Sequence, residues 1–167
     1  GGLGVNGAVT ARLMVQDSLR PVLMDHRMDL TLMADIKDHV DIEIGDICDR
    51  ATLESIVDRH QITHIAHLAA LMPEPAEADP RLAVKVGLDG TINVLETARQ
   101  KQIKRVVFTS SKAAYGEITG DCAPPTCEPV REDYPKRPAD LYGSIKVCCE
   151  ELGRYYRETY SIEFIAL

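Results

Sequence analysis

Short apolar runs and longer helical patterns alternate along all 167 residues of the chain. The apolar runs predict five β-strands, at residues 21–25, 40–44, 64–68, 105–109 and 163–167. Between them, the spacing of apolar positions predicts five helices, at residues 6–16, 30–38, 51–60, 81–101 and 139–159. Such alternation is typical of α/β proteins, in which helices cover both faces of a parallel sheet. The pattern predicts one domain over residues 1–167 with a doubly wound parallel sheet.

Residues 116–138 interrupt the alternation. They are rich in Gly, Pro, Asp and Glu and show no sustained period, which predicts a loop over the carboxyl edge of the sheet.

The two ends of the sequence predict a fragment truncated at both ends, because the chain opens on a glycine loop with no strand before it and stops on an apolar run. A first strand would lie in the middle of such a sheet, so without it we expect a gap bordered by unpaired backbone groups.

Three glycines precede the first predicted helix. Gly1, Gly4 and Gly7 have the spacing Gly-x-x-Gly-x-x-Gly, which allows a backbone to approach a pyrophosphate and aims helix N-terminal amides at it. Asp25 ends the first predicted strand, 18 residues after Gly7. That is close to the ~20 residues expected before a carboxylate that binds the adenosine ribose. Together these residues predict a Rossmann-type dinucleotide-binding domain.

The acidic residue also bears on which dinucleotide binds. The Asp25 carboxylate would accept hydrogen bonds from both ribose hydroxyls of NAD and repel the extra phosphate of NADP, so NAD is the expected cofactor. Arg27 is positioned to reach a 2′-phosphate, although a solvated loop arginine needs no such role. Asp46, in Gly45-Asp46-Ile47, is expected either to contact the adenine amino group or to stabilise a turn before the next helix.

A candidate catalytic set follows in the second half of the chain. Tyr142 and Lys146 are four residues apart and share one face of the predicted helix. An ammonium and a cationic nicotinamide beside a phenol favour the phenolate, which can then act as a base, and Lys146 could also hold the nicotinamide ribose. Ser111 follows a buried strand, where it could bind the reacting oxygen and pass its proton to Tyr142. A helix surface and a turn serine are the ordinary alternatives.

Composition and charge limit the classes of partner that this chain is expected to bind. The formal net charge of −7 and pI near 5.2 offer nucleic acid no basic face. No apolar run reaches the roughly 20 residues of a membrane span, so a soluble cytoplasmic protein is expected. The five cysteines show no paired spacing and the histidines no acidic partners at ligand spacing, so we expect reduced thiols, structural histidines and no metal site.

Several motifs resemble the extended short-chain dehydrogenases of the NAD-dependent epimerase/dehydratase family, notably the relatives of UDP-glucose 4-epimerase. They are the glycine loop, Asp25, Gly45-Asp46-Ile47, His67-Leu68-Ala69-Ala70, the run from Asp89 to Glu96, the run from Ser110 to Gly116, and the Tyr142/Lys146 pair. The resemblance implies that Ser111, Tyr142 and Lys146 are catalytic. It implies an NAD site lined by Val5, Asn6, Asp25, Asp46, Ile47, Leu68, Ala69 and Ala70. It also implies a homodimer built on helices 81–101 and 139–159.

The same resemblance bears on the reaction. Family dehydratases carry acidic residues just after the catalytic hydroxyl, and some decarboxylases keep a glutamate there, whereas this chain has Lys112 and Ala113. This leaves hydride removal from a sugar or nucleotide-sugar carbinol, with a nucleotide-sugar 4-epimerase preferred over a sugar or sugar-acid dehydrogenase. A noncatalytic NAD sensor on the same fold is the third alternative. The family usually has Asn at the position of Gly87 and a bulky apolar pair at Val5-Asn6, and its C-terminal substrate-binding part has no counterpart in this sequence.

Overall fold

The computed structural model describes residues 1–167 and contains five short parallel β-strands. They are β1 (Val22–Asp25), β2 (Asp41–Ile44), β3 (His64–His67), β4 (Arg105–Phe108) and β5 (Glu163–Ala166). Each lies within one residue of its predicted bounds, so all five strand predictions are confirmed. Their side chains are mostly Val, Ile, Leu, Phe and Ala, which favour a buried parallel sheet.

Six α-helices connect the strands. They are α1 (Val5–Gln16), α2 (Arg50–His60), α3 (Pro73–Ala78), α4 (Pro80–Val84), α5 (Gly90–Gln100) and α6 (Leu141–Tyr160). Asp49 begins α2 by accepting a hydrogen bond from the Thr52 amide, and Asp140 begins α6 by accepting one from the Gly143 amide. The short helix α3 was not predicted, because its proline-rich sequence Pro-Glu-Pro suggests a loop, although proline is well tolerated in the first turn of a helix.

The helix predicted over residues 30–38 is wrong. The segment forms two 3₁₀ turns, Thr31–Met33 and Lys37–His39. Its apolar residues Leu30, Met33 and Ile36 are spaced three apart, and 3₁₀ geometry with three residues per turn puts them on one face. Met33 and Ile36 are buried there without an α-helix.

The long helix predicted over residues 81–101 is interrupted. A π-helical turn, Lys85–Asp89, separates α4 from α5. Gly87 lies in this turn against α6, where a Cβ would be 2.5 Å from Cγ2 of Ile145. The asparagine that the resemblance leads us to expect at this position would not fit without movement of Ile145, so close packing explains the glycine.

The strands form two parallel groups, β1–β2 and β3–β4–β5. A groove of about 400 Å³ lies between β1 and β3, and 16 of its 27 lining residues are hydrophobic. Leu23 and Val22 line one wall and Ile65 and Ala66 the other. The gap expected in mid-sheet is therefore present, and the strand order on its two sides is that of a doubly wound sheet.

Each group of strands has its own core. Val106, Phe108 and Phe164 of the three-stranded group pack with Leu95 and Cys149 from α5 and α6. A smaller core surrounds β1, with members Leu3, Ala8, Ala11, Leu23, Met33, Ile36 and Val40. Because all strands are parallel, their carboxyl ends share one edge, and the predicted site residues follow those ends.

We expect a strand-forming segment added directly before Gly1 to stabilise residues 1–167, because it would fill the groove and pair with β1 and β3. Burying several apolar side chains contributes about 1.5–3 kcal/mol each, enough to raise the midpoint of thermal unfolding by roughly 10 °C. The measurement compares a Val- and Ile-rich extension with a Gly/Ser extension of the same length. Equal midpoints would show that the groove does not accept a strand.

Candidate active site

The glycine loop folds tightly against the end of β1. The Gly2 amide donates to the Met24 carbonyl at 2.9 Å. At Gly7 a Cβ would lie 2.1 Å from the Gly2 carbonyl oxygen, so only glycine fits. Gly4 begins α1, and no side chain caps this helix, so its first amides are available to a ligand phosphate. Val5 and Asn6 are exposed in the first turn.

Asp25 lies directly beside this loop. Its Oδ2 accepts from the Leu3 amide at 3.1 Å, and its Oδ1 accepts from the His26 amide at 2.8 Å. Burial raises the pKa of the Asp25 carboxyl, whereas the hydrogen bonds from the Leu3 and His26 amides lower it, and the pKa lies below its usual value. The carboxylate is therefore charged at neutral pH.

Asp25 and the loop line one cleft of about 430 Å³, whose walls are Gly1, Leu3, Gly4, Asp25, His26, Arg27, Met28 and Asp29. The cleft brings together backbone amides, a charged carboxylate and an arginine. It has the donors and acceptors that a ribose next to a phosphate requires.

The residues after β2 and β3 differ in what they offer. Asp46 is exposed, and its side chain accepts a hydrogen bond from the Cys48 amide at 2.9 Å. This contact corresponds to the turn-stabilising role, the alternative to a contact with the adenine amino group. Ile47 is buried in the core and packs against Gly90. Leu68, Ala69 and Ala70 are half-buried at the carboxyl end of β3. This places them at the same edge as the glycine loop.

Close packing joins Ser111 to the start of α6. Ser111 follows β4, and its Oγ accepts from the Ala113 amide at 3.2 Å in a 3₁₀ turn, Lys112–Ala114. This turn touches α6 at Gly143, where a Cβ would lie 2.4 Å from the Ala113 carbonyl oxygen. The residue beside Tyr142 must therefore be glycine for the two segments to meet. The structure thus brings the predicted serine and tyrosine segments together.

Lys146 is buried beneath Tyr142. The side chain is 4% exposed, and Nζ donates to the Thr109 carbonyl at 2.5 Å. Nζ also lies 4.5 Å from the ring centroid of Phe108 and 5.5 Å from that of Tyr142. Burial lowers the pKa of Lys146, and the nearby Cys149 and Glu150 oppose this. The ammonium is thus fixed next to the phenol ring rather than free in solvent.

A buried polar network connects β3, the π-helical turn, α5 and α6. Thr91 Oγ1 donates to the Gly87 carbonyl at 2.6 Å, so its lone pair is free to accept from His67 Nε2 at 2.9 Å. Cys149 Sγ donates to the same carbonyl at 3.4 Å. Burial, together with the charge of Lys146, lowers the pKa of His67 to about 3. The imidazole is neutral and serves the packing of β3 against α5.

His67 should make the protein sensitive to mild acid. Its pKa is about 3 when folded and 6.5 as a reference value, so between these pH values the unfolded chain binds a proton that the folded chain does not. The free energy of unfolding therefore falls by up to about 1.4 kcal/mol per pH unit below pH 6.5. Urea unfolding at several pH values should show a flatter dependence for His67→Gln, with His64→Gln as the exposed control. Identical slopes in wild type and His67→Gln would contradict this assignment.

Two features of the site escaped the sequence analysis. Gly2 takes part in the loop as closely as the three glycines that were singled out, and only its place next to Gly1 hinted at this. Glu150 lies four residues after Lys146, on the same helix face, and its carboxylate accepts from both Ser110 and Lys136. That spacing was the available signal.

No helix of the structure combines the length and apolar character that crossing a membrane requires. No group of three or more His, Cys, Asp or Glu side chains is arranged to hold a metal ion.

The chain resembles both epimerases and dehydrogenases. It is 33% identical over 125 residues to a UDP-glucose 4-epimerase of Lacticaseibacillus casei, covering 74% of this chain and 35% of that protein. It is 34% identical over 161 residues to a D-erythronate dehydrogenase of Cupriavidus necator, covering 91% and 47%. The chain thus spans about half the length, or less, of these relatives.

Solved structures give the same result. The UDP-glucose 4-epimerase of Thermus thermophilus in complex with NAD matches with a TM-score of 0.84 and 26% identity, covering 99% of this chain and 52% of that one. An L-threonine dehydrogenase of Cupriavidus necator matches with a TM-score of 0.87 and 26% identity, covering 100% and 52%. The model of the NAD dependent epimerase/dehydratase family matches residues 1–167. Since that match spans the whole chain, the chain belongs to the NAD-dependent epimerase/dehydratase family.

Proposed function

We propose that this chain binds NAD and carries the catalytic groups of an epimerase or dehydrogenase. The glycine loop and the free amides of α1 would hold the pyrophosphate, and Asp25 the adenosine ribose. This fits the structure because Gly7 leaves no room for a side chain and Asp25 is charged within the cleft. Asp46, Ile47, Leu68, Ala69 and Ala70 would complete the binding edge, Ile47 by its backbone because its side chain is in the core.

When bound, NAD supplies a hydride acceptor. The protein's part is proton transfer and positioning. Tyr142 would take the proton of the substrate hydroxyl, and Ser111 would hold that oxygen. Lys146 would stabilise the phenolate and bind the nicotinamide ribose. The observation that carries this assignment is the buried Lys146 ammonium fixed 5.5 Å from the Tyr142 ring centroid, because a solvated lysine at that helical spacing would influence the phenol far less.

The substrate we favour is a sugar or nucleotide sugar, and the reaction a nucleotide-sugar 4-epimerisation. The epimerase relatives and the absence of an acidic residue at Lys112 and Ala113 support this choice. The dehydrogenase alternative is supported by the relative named D-erythronate dehydrogenase, which matches 91% of the chain.

The balance of NADH separates the two reactions. The protein that contains this chain is incubated with NAD and UDP-glucose in one assay and with NAD and a four-carbon sugar acid in another. An epimerase forms the 4-epimer without net NADH, whereas a dehydrogenase accumulates NADH in step with product. If NAD fails to bind and neither substrate changes, the proposal is wrong and the sensor alternative is excluded with it. Binding of NAD without any turnover would favour the sensor.

A homodimer and a cytoplasmic location stay predictions. Exposed Ile92 on α5 and exposed Tyr160 on α6 are compatible with a second copy packing on these helices.

A further inference from the structure

Glu150 is the point at which three segments of the candidate site meet. It lies on α6 eight residues after Tyr142, so it shares the face of Tyr142 and Lys146. Its Oε1 accepts from the Ser110 hydroxyl and its Oε2 from the Lys136 ammonium. The Glu150 side chain is only 14% exposed. This carboxylate therefore has a charged partner and a neutral one, both away from its own helix.

Both partners lie next to elements of the site. Ser110 precedes Ser111, and its amide donates to the Leu167 carbonyl at 2.7 Å, which fixes its backbone to the end of β5. The bond to Glu150 then ties the Ser110 side chain to α6. The peptide that carries Ser111 is thus held from two sides.

Lys136 lies near the end of the loop of residues 116–138, two residues before its last residue, where the chain returns to the site before α6. The next residue, Arg137, donates its amide to the Tyr115 carbonyl at 3.4 Å and pairs with Gly116 in a single β-bridge. At Gly116, φ is +68° and a Cβ would lie 1.9 Å from the Arg137 carbonyl oxygen. The two ends of the loop therefore meet closely, and the ion pair with Glu150 anchors that junction to α6.

We infer that Glu150 is a positioning residue, which fixes Ser111 relative to Tyr142 by holding Ser110 and the end of the 116–138 loop on α6. This inference rests on the proposed catalytic role of Ser111 and Tyr142. The hydrogen bonds of Glu150 go to Ser110 and Lys136 rather than to Ser111 or Tyr142, so it acts through these two partners. An exposed ion pair would contribute little, but a largely buried carboxylate with two partners holds their geometry.

The test measures kcat, KM and NAD affinity in the protein that contains this chain. Glu150→Ala should lower kcat by about 10- to 100-fold, the cost of a misplacement near 1 Å, with NAD affinity unchanged. Ser110→Ala should lower kcat in the same way, whereas Ser110→Thr, which keeps the hydroxyl, should restore most of it. Glu151→Gln is the matched control, because Glu151 is the next residue on α6 and pairs only with the exposed Arg154.

Coupling between the variants distinguishes positioning from stability. The Ser110→Ala/Glu150→Ala double variant should lose no more kcat than Glu150→Ala alone. The reason is that Ser110→Ala removes a hydrogen bond that Glu150→Ala has already removed. Hydrogen exchange should also speed up in residues 116–138 of Glu150→Ala and stay unchanged in Glu151→Gln.

Independent, multiplicative losses of kcat would overturn the inference, as would a fall in NAD affinity that matches the fall in kcat. If the wild type turns over and Glu150→Ala keeps its kcat, the inference alone fails. If the wild type has no turnover with any substrate tested, the proposed function fails and this inference with it.

Discussion

Replacing Tyr142 by Phe in the protein that contains this chain is expected to lower turnover by about 10²- to 10⁴-fold. Phe keeps the ring and its packing above Lys146 but removes the hydroxyl, the group proposed to take the substrate proton. NAD affinity should stay nearly unchanged, because the glycine loop and Asp25 are untouched. Equilibrium titration with NAD and steady-state kinetics on the same preparations separate binding from chemistry.

Two further variants make the comparison specific. Tyr155→Phe removes a hydroxyl from an exposed position on the same helix and should leave turnover unchanged. Lys146→Ala should differ from Tyr142→Phe, because Lys146 is assigned both to the ribose and to the phenolate, so NAD affinity and the pH optimum should both change. Near-normal turnover of Tyr142→Phe would remove the catalytic assignment and favour a binding protein.

Replacing Asp25 by Asn is expected to weaken NAD binding by roughly 10- to 100-fold, the value of one or more hydrogen bonds to a charged group. Asn keeps an acceptor for the Leu3 amide, so the loop should hold its shape, but it loses the charge that repels a 2′-phosphate. The ratio of NADP to NAD affinity should therefore rise. Asp35→Asn, at an exposed ion pair with Arg12 outside the cleft, is the control. Equal NAD and NADP affinities in the wild type would refute the proposed role of Asp25.

The strands could be predicted to within one residue because each places two or three apolar residues in a short stretch between longer helical or loop segments. The bounds and interruptions of the helices were harder to predict, because the apolar periodicity of one segment carries no information on its contacts with distant segments. The interruption at residues 85–89 depends on Gly87 meeting Ile145, which are 58 residues apart in sequence. The two 3₁₀ turns near Met33 satisfy nearly the same apolar spacing as an α-helix.

The candidate site could be predicted where its chemistry lies in local patterns. The glycine loop, Asp25 and the Tyr142/Lys146 pair each have a recognisable spacing. Glu150 has only its four-residue spacing from Lys146, which many helix carboxylates share, and its partners Ser110 and Lys136 lie 40 and 14 residues away. The burial of Lys146 was also outside the reach of sequence, since it depends on how Phe108 and Thr109 cover the amine.

The most direct measurement follows the hydrogen that the proposed reaction removes. A substrate is deuterated at the reacting carbinol carbon and supplied to the protein that contains this chain, with NAD. We expect a primary kinetic isotope effect with no loss of label to water. An epimerase returns the label to the same carbon of the product, and a dehydrogenase delivers it to NADH. Deuterium released into solvent would instead indicate proton abstraction at that carbon and would contradict hydride transfer by NAD.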